Sequence, residues 1–248
     1  MNELKIIAIV QARTGSTRFP NKVFCNLSGK PLIWHVFNRL SYSKRITKSI
    51  LATTNSIKDH ILEKWAIANN IDYFRGDENN VLKRYYDAAI EFSADVIIRI
   101  TSDDPFKDPI IIDDLVYFFE NNSLDFAYNN NPVSFPEGLD VEIFTMDALS
   151  IANKKAKSSF EKEHVTQFFH LNNSLFKMKN FLNVKNYSYL RWTIDTEVDY
   201  EMVKIVYMHL YKNGDIFYFE DILKLIKDNP TLSKINSSVK RSLMYKKN

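Results

Sequence analysis

Residues 6–22 read Ile-Ile-Ala-Ile-Val-Gln-Ala-Arg-Thr-Gly-Ser-Thr-Arg-Phe-Pro-Asn-Lys. Five apolar residues make a run of buried-strand length, which breaks after Gln11 into a loop carrying Gly15, hydroxyl side chains and three cations, Arg13, Arg18 and Lys22. A strand that delivers such a loop suits a polyanion. Gly15 permits a left-handed turn and a close backbone approach. The peptide N–H groups from Ala12 through Thr14, Gly15 and Ser16 are placed to form an anion-accepting concavity, and guanidinium forks match phosphate oxygens. The combination predicts a triphosphate as guest; the competing reading is an exposed basic turn after an edge strand.

Outward from this loop, apolar spacing alternates between the strand and helix periods. Pro31 opens a helix with Leu32, Ile33, Val36, Phe37 and Leu40 on one face. Strands are predicted over 49–52, 71–74 and 95–101, with helices over 57–68 and through Val81, Leu82, Tyr85, Ala89 and Phe92. Such alternation means right-handed βαβ units and ligands at the carboxyl ends of the strands. The fold class is therefore α/β, a Rossmann-like, mostly parallel mixed sheet flanked by helices. Dinucleotide and P-loop motifs are excluded: there is no Gly-x-Gly-x-x-Gly, and Gly29-Lys30 runs into Pro31.

From Asn129 the polar stretch Asn-Asn-Asn-Pro-Val-Ser-Phe-Pro-Glu-Gly breaks this rhythm, as a functional loop or an excursion of the chain does. Strands follow over 138–144, 176–181 and 189–194, and helices over 147–154, 160–171 and 220–226. Another helix opens at Thr196, with Val198, Met202, Ile205, Val206 and Leu210 on its buried face. Residues 1–248 read as one interrupted domain in which 130–190 form an acceptor-binding or dimerisation excursion. The aromatic-rich stretch 160–189 is either a homodimer contact or ordinary core.

Two acids, Asp103 and Asp104, follow the predicted strand 95–101 and Thr101, at the end of a strand where α/β enzymes hold ligands. A triphosphate travels with Mg²⁺, which takes one or two carboxylates together with phosphate oxygens and water. Asp103 is the first candidate ligand; the alternative is a turn cap before Pro105. Asp108-Pro109 is a structural helix start. Asp195 ends the segment 190–195, and Thr196 with Asp199 makes an acidic capping box that leaves Asp195 available as a second ligand, or as an N-cap itself. In a strand, Asp140 and Glu142 share a face, so with Glu137 they either line an acceptor pocket or form a solvated edge. His164 is an acceptor contact or a surface residue; Arg75 is a nucleotide contact or part of a surface turn with Gly76.

The chain has 248 residues, 45% hydrophobic and 25% charged, with a net charge of +3, which argues against a nucleic-acid partner. The Lys-rich stretch from Lys240 to Lys247 reads as a solvated end. No apolar run is long enough to span a membrane and no signal-peptide pattern follows Met1, so a cytoplasmic location is expected. Cys25 is the one cysteine; a packing role is expected and an internal disulfide is excluded.

The stretch from Val10 to Val23, followed by Leu27-Ser-Gly-Lys-Pro-Leu-Ile-Trp-His-Val36, resembles the opening of the bacterial cytidylyltransferases, and within them the branch named for spore-coat polysaccharide synthesis, relatives of the CMP-sialate and CMP-Kdo synthetases. Further blocks resemble that branch in order: Phe74 to Tyr85, Ile98 to Pro109, Pro136 to Phe144, Glu163 to Thr166 and Leu190 to Asp199. The chain departs at Ser102, where the family usually has Gly, and at Asp104, where Cys is common. The resemblance implies a GT-A-like nucleotidyltransferase fold, CTP, Mg²⁺ on Asp103 and Asp195, and a homodimer. The expected reaction is attack by an acceptor oxygen on the α-phosphorus of CTP, with Arg13, Arg18 and Lys22 on the phosphates. The acceptor is a nonulosonic or octulosonic sugar acid or a sugar or polyol phosphate, destined for surface polysaccharide or glycoconjugate synthesis. The alternatives are a GT-A glycosyltransferase consuming a nucleotide sugar and a non-catalytic nucleotide-binding protein.

Overall fold

A computed structural model describes residues 4–16 and 18–240. Thr17 and the Lys-rich stretch beyond Lys240 lie outside the described residues. In chain order the elements are β1 (Ile6–Gln11), β2 (Asn26–Leu27), β3 (Lys30–Pro31), α1 (Leu32–Leu40), β4 (Lys48–Thr54), α2 (His60–Ala68), β5 (Tyr73–Gly76), α3 (Val81–Glu91), β6 (Val96–Thr101) and α4 (Pro109–Asn121). There follow β7 (Phe126–Tyr128), β8 (Glu142–Thr145), α5 (Met146–Lys155), α6 (Ser159–Glu163), α7 (Gln167–Leu171), β9 (Met178–Asn180), α8 (Glu197–Leu210) and α9 (Phe219–Asp228).

Seven strands form one sheet in the order β5-β4-β1-β6-β8-β7-β9. The first four are parallel, β8 runs against both β6 and β7, and β9 is parallel to β7. The mostly parallel mixed α/β fold read from the sequence is the one observed. The chain winds from β1 outward to β4 and β5, then crosses back to lay β6 on the other side of β1. Strand order therefore reverses between β1 and β6, and a crevice opens beyond their carboxyl ends.

Strands β1, β4 and β6 of this parallel half bury both faces, as sheets covered by helices on two sides must, while the edge strand β5 is only half-buried. Ala8, Val10, Ile98 and Ile100 pack with α1, α2 and α4. Ile7, Ile9, Ile50 and Ile97 pack with α3, α5 and α7. A third cluster joins α8 and α9 to Leu27, Leu32, Phe106 and Trp192. Cys25 packs against this cluster, and burial pushes its thiol up to about 12, in keeping with a packing role.

The same cluster encloses His35, whose Nε2 donates to the Leu27 carbonyl at 2.7 Å between the rings of Tyr207 and Tyr211. Burial lowers its pKa to about 4. The unfolded chain, with an ordinary imidazole, binds that proton first, so stability is full above pH 6.5 and declines as pH falls towards 4. The expected share of His35 is about 3 kcal/mol. His164 and His170 are also lowered by burial and add to the slope. Urea unfolding at stepped pH should show a shallower slope for His35→Gln, which keeps an N–H for Leu27 and takes up no proton.

Several predicted boundaries shift. The strand expected over 138–144 begins only at Glu142, and Asp140 lies outside it. Gly138 turns at φ +105°, and the buried Asn129 side chain serves as the partner of 139–141, donating to the Leu139 carbonyl and accepting from the Val141 N–H. The helix expected over 160–171 breaks into α6 and α7 at His164, whose φ of −105° and ψ of 56° leave the helical region. Of the strand expected over 189–194, Tyr189 lies in a turn and the rest pairs with loop rather than strand: Trp192 donates to the Glu137 carbonyl and Ile194 to that of Asp103. Val198, expected on the buried face of α8, is 43% exposed. The strands expected over 49–52, 71–74 and 176–181 are Lys48–Thr54, Tyr73–Gly76 and Met178–Asn180. Strand β7 and the short β2–β3 pair were not signalled by periodicity.

Candidate active site

The loop after β1 is held from below. Ala12 donates to the Ala52 carbonyl at 3.2 Å. Thr14 donates both its N–H and its hydroxyl to Asp59 Oδ1, at 2.8 and 2.7 Å, and Thr54 donates its hydroxyl to the other oxygen. The Ser16 hydroxyl accepts from the Phe19 N–H at 3.3 Å, closing the turn. The left-handed turn expected at Gly15 falls instead at Asn21, with φ 56°. Gly15 lies on the exposed side, where an added Cβ would meet nothing within 4 Å, so its contribution is open access rather than strain relief. Arg13 and Arg18 are also exposed on this loop.

Asn21 turns the chain inward, so Lys22 is buried in the crevice. Its Nζ donates to Asp103 Oδ2 at 2.7 Å, to Asp195 Oδ1 at 2.8 Å and to the Ile194 carbonyl at 2.8 Å. Two carboxylates thus converge on one cation, and the Ile194 N–H to Asp103 carbonyl bond, 2.9 Å, locks their segments together. Arg18 reaches Asp195 Oδ1 from the rim at 3.0 Å, its side chain 58% exposed. Burial disfavours the Lys22 ammonium, but the two aspartates outweigh it and raise its pKa. Burial likewise opposes ionisation of Asp103, yet Lys22 holds it well below the usual carboxylate range.

Asp104 does different work. It is buried, accepts from the Thr101 hydroxyl at 2.7 Å and pairs with Lys107 at 2.9 Å. Burial, together with the Asp103 charge, raises its pKa against the pull of Lys107. Lys107 also donates to the Asp140 carbonyl, so Asp104 anchors the approach to β8. Asp108 caps α4, accepting from Ile110 and Ile111, as its Asp-Pro signal predicts.

Behind Asp195 stands Arg191. It donates to Asp195 at 3.2 Å, pairs with Glu137 at 2.7 Å and grips Asp199 through two bonds of 2.8 and 3.0 Å. Asp199 is fully buried; it completes the capping box with Thr196 and accepts from Asn236 as well. The capping box leaves Asp195 free of the helix end, as its pattern implied.

The acceptor candidates do not converge. Glu137 joins the Asp195 side through Arg191. Asp140 and Glu142 do not line a common strand face, since only Glu142 is in the strand. Glu142 is 1% exposed and paired with Arg99 at 2.6 Å beneath α7, an arrangement that supports packing rather than an open pocket. His164 is partly buried against Phe160, on the Arg99 side of the sheet. Arg75 is bound to Glu63 at 2.7 Å and to the carbonyls of Thr54 and Ser56, so its guanidinium braces β4 rather than facing the crevice. Neither Asp59 nor Arg191 is signalled by local sequence, because Thr14, the partner of Asp59, and Glu137, a partner of Arg191, lie far away in the chain.

Among the described residues no group of three or more His, Cys, Asp or Glu side chains could hold a metal ion. Asp103 and Asp195 nevertheless fit a hard divalent cation that brings phosphate oxygens and water as its other ligands, and the Lys22 ammonium already stands where positive charge is required.

Residues 7–237 match the family model described as cytidylyltransferase. The chain belongs to the cytidylyltransferase family. It is 31% identical to the spore coat polysaccharide biosynthesis protein SpsF of Bacillus subtilis, across 91% of this chain and 95% of that protein. A solved cytidylyltransferase structure from Leptospira borgpetersenii superposes with a TM-score of 0.88 at 31% identity, covering 96% of this chain and 99% of the other. The 3-deoxy-manno-octulosonate cytidylyltransferase of Trichlorobacter lovleyi is 34% identical over 122 residues, 48% of this chain and 46% of that one. The protein is thus a nucleotidyltransferase, and the glycosyltransferase and non-catalytic alternatives are not favoured. No described helix is long and apolar enough to cross a membrane.

For a cytidylyltransferase, the Asp59 anchor should matter to nucleotide affinity. Asp59→Ala leaves the Thr14 and Thr54 donors without their acceptor and unties the loop. The CTP dissociation constant is expected to rise about tenfold, the worth of one charged hydrogen bond, measured by calorimetric titration.

Proposed function

We propose that this cytidylyltransferase transfers the CMP group of CTP to a sugar acid of the nonulosonic or octulosonic type, releasing pyrophosphate, as a step towards a surface polysaccharide or glycoconjugate. The observation that carries this reading is the meeting of Lys22, Asp103 and Asp195 at the carboxyl ends of β1 and β6, beside the Gly15 loop. The name of the octulosonate relative supports the sugar acid, and that of SpsF supports the polysaccharide destination.

In this reading Arg13, Arg18 and Lys22 bind the phosphates with the exposed Gly15 backbone beside them, while the Ala12, Thr14 and Ser16 N–H groups, spent on Ala52, Asp59 and the Thr14 carbonyl, hold the loop in shape rather than meeting the anion. Asp103 and Asp195 would hold Mg²⁺, which when bound would supply Lewis-acid neutralisation of phosphate charge. The acceptor hydroxyl oxygen forms the new bond to the α-phosphorus and gives up its proton to water in the crevice, as the bond to the pyrophosphate oxygen breaks and pyrophosphate leaves. The chain contributes alignment and fixed positive charge rather than a covalent intermediate. Arg191 is a positioning residue: it fixes Asp195 by holding the carboxylate oxygen that Lys22 does not use.

Pyrophosphate release is to be measured with each of the four nucleoside triphosphates, Mg²⁺, and separate panels of sugar acids and of sugar or polyol phosphates. Release with CTP and a sugar acid is expected. Turnover with a phosphate acceptor alone would replace the acceptor class, and CTP-independent turnover would overturn the nucleotide assignment.

A further inference from the structure

Lys22 does more than approach the two aspartates. An ammonium has three donors, and all three are used: one on Asp103, one on Asp195 and one on the Ile194 carbonyl, every bond at 2.7 or 2.8 Å. Neither oxygen of Asp195 is left without a cation, since Oδ1 also faces Arg18 and Oδ2 faces Arg191. The carboxylate pair is therefore already neutralised by the chain itself. Among the described residues no third acidic, histidine or cysteine ligand adds to the pair, so a divalent cation arriving alone would find two carboxylates, both engaged. Phosphate oxygens change that balance, because they supply the missing ligands and give the ammonium another partner.

We propose that Lys22 is an exchangeable internal counter-cation. In the free enzyme it closes the metal site, and it swings from the carboxylates to the phosphates when nucleotide enters, so that divalent metal and CTP bind as a coupled pair. The proposal rests on the reading of Asp103 and Asp195 as the cation site. The position of Lys22 suits the exchange. It follows the left-handed Asn21, at the junction between the loop that carries Arg13 and Arg18 and the crevice that carries the aspartates. A rotation of its own long side chain spans the two environments without moving β1 or β6. The bonds also tie residues 22, 103 and 195 together before substrate arrives, so the crevice keeps its shape while like charges on the aspartates stay compensated.

The test is Mn²⁺ titration followed by electron paramagnetic resonance, with and without CTP and with no acceptor, on the wild-type protein and on Lys22→Met and Lys22→Gln. Both variants are expected to bind Mn²⁺ alone at least tenfold more tightly than wild type. CTP is expected to raise the Mn²⁺ affinity of wild type at least tenfold and that of the variants by less. In thermal unfolding of the same samples, Mn²⁺ alone should raise the midpoint of the variants and leave wild type unmoved. Equal Mn²⁺ affinity of wild type and variants without CTP overturns the proposal. So does a wild-type protein that binds Mn²⁺ as tightly without CTP as with it while the variants bind no better, a result that holds even if Lys22→Met fails to fold, because Lys22→Gln keeps N–H groups towards the carboxylates. A variant advantage that CTP does not close leaves Lys22 as a competitor of the cation and overturns its exchange onto the nucleotide.

Discussion

Asp103→Asn is expected to lower kcat/KM for CTP-dependent pyrophosphate release by about 10²- to 10³-fold, the usual cost of removing one preorganised charge from a site where charge develops. The substitution keeps the side-chain shape and an oxygen for the Lys22 ammonium, so folding should survive. What it removes is the charge, and that charge is present at neutral pH because Lys22 holds the Asp103 pKa down against burial. With it goes one of the two carboxylates proposed for the metal. Asp104→Asn is the informative comparison. Asp104 is bound to Lys107 and Thr101, so its loss should appear in stability and only secondarily in turnover. Steady-state kinetics of both variants, with urea unfolding alongside, separates the roles. An Asp103→Asn enzyme within threefold of wild type would remove Asp103 from the site.

Arg191→Met should cost about 3–5 kcal/mol of unfolding free energy, because it leaves a buried charge without its partner. Asp199 is fully enclosed, and Arg191 supplies two of its bonds; the rest come from Asn236, Thr196 and backbone N–H groups, which do not neutralise it. Met fills much of the guanidinium's volume, so the loss reports charge more than a cavity. The double variant Arg191→Met with Asp199→Asn should recover part of the loss by removing the orphaned charge, a coupling that a double-mutant cycle in urea reads directly. A single variant within 1 kcal/mol of wild type would show that the hub carries little of the stability. The same replacement frees one oxygen of Asp195 and Glu137, so CTP turnover should fall as well.

Much of this protein is visible in local patterns. The apolar run 6–10, the helical spacing from Leu32 to Leu40 and the Asp108-Pro109 cap each act within a few residues, and each forms the expected element. The same locality placed Asp103 and Asp195 at the ends of extended segments and Arg18 and Lys22 on the loop. The misreadings are of another kind. Glu142 and Asp140 follow strand alternation on paper, but Asn129 replaces a strand partner at 139–141 and Arg99 draws Glu142 into the interior. Arg75 has the composition of a phosphate contact, yet its nearest acid in space is Glu63, twelve positions back in the chain.

By itself, then, the sequence determined the alternation of strands and helices, the parallel α/β class, the basic loop and the two carboxylates, all properties of short windows in which period, capping and turn chemistry act. Only the tertiary structure decided which charges meet. Lys22 is 81 positions from Asp103 and 173 from Asp195, and Thr14 is 45 from Asp59. Those encounters depend on the crossover that sets β6 beside β1 and on the loop pairing that brings 190–195 against Asp103. A carboxylate becomes a cation site or a structural brace according to the partner the fold brings to it, and no local window contains that partner.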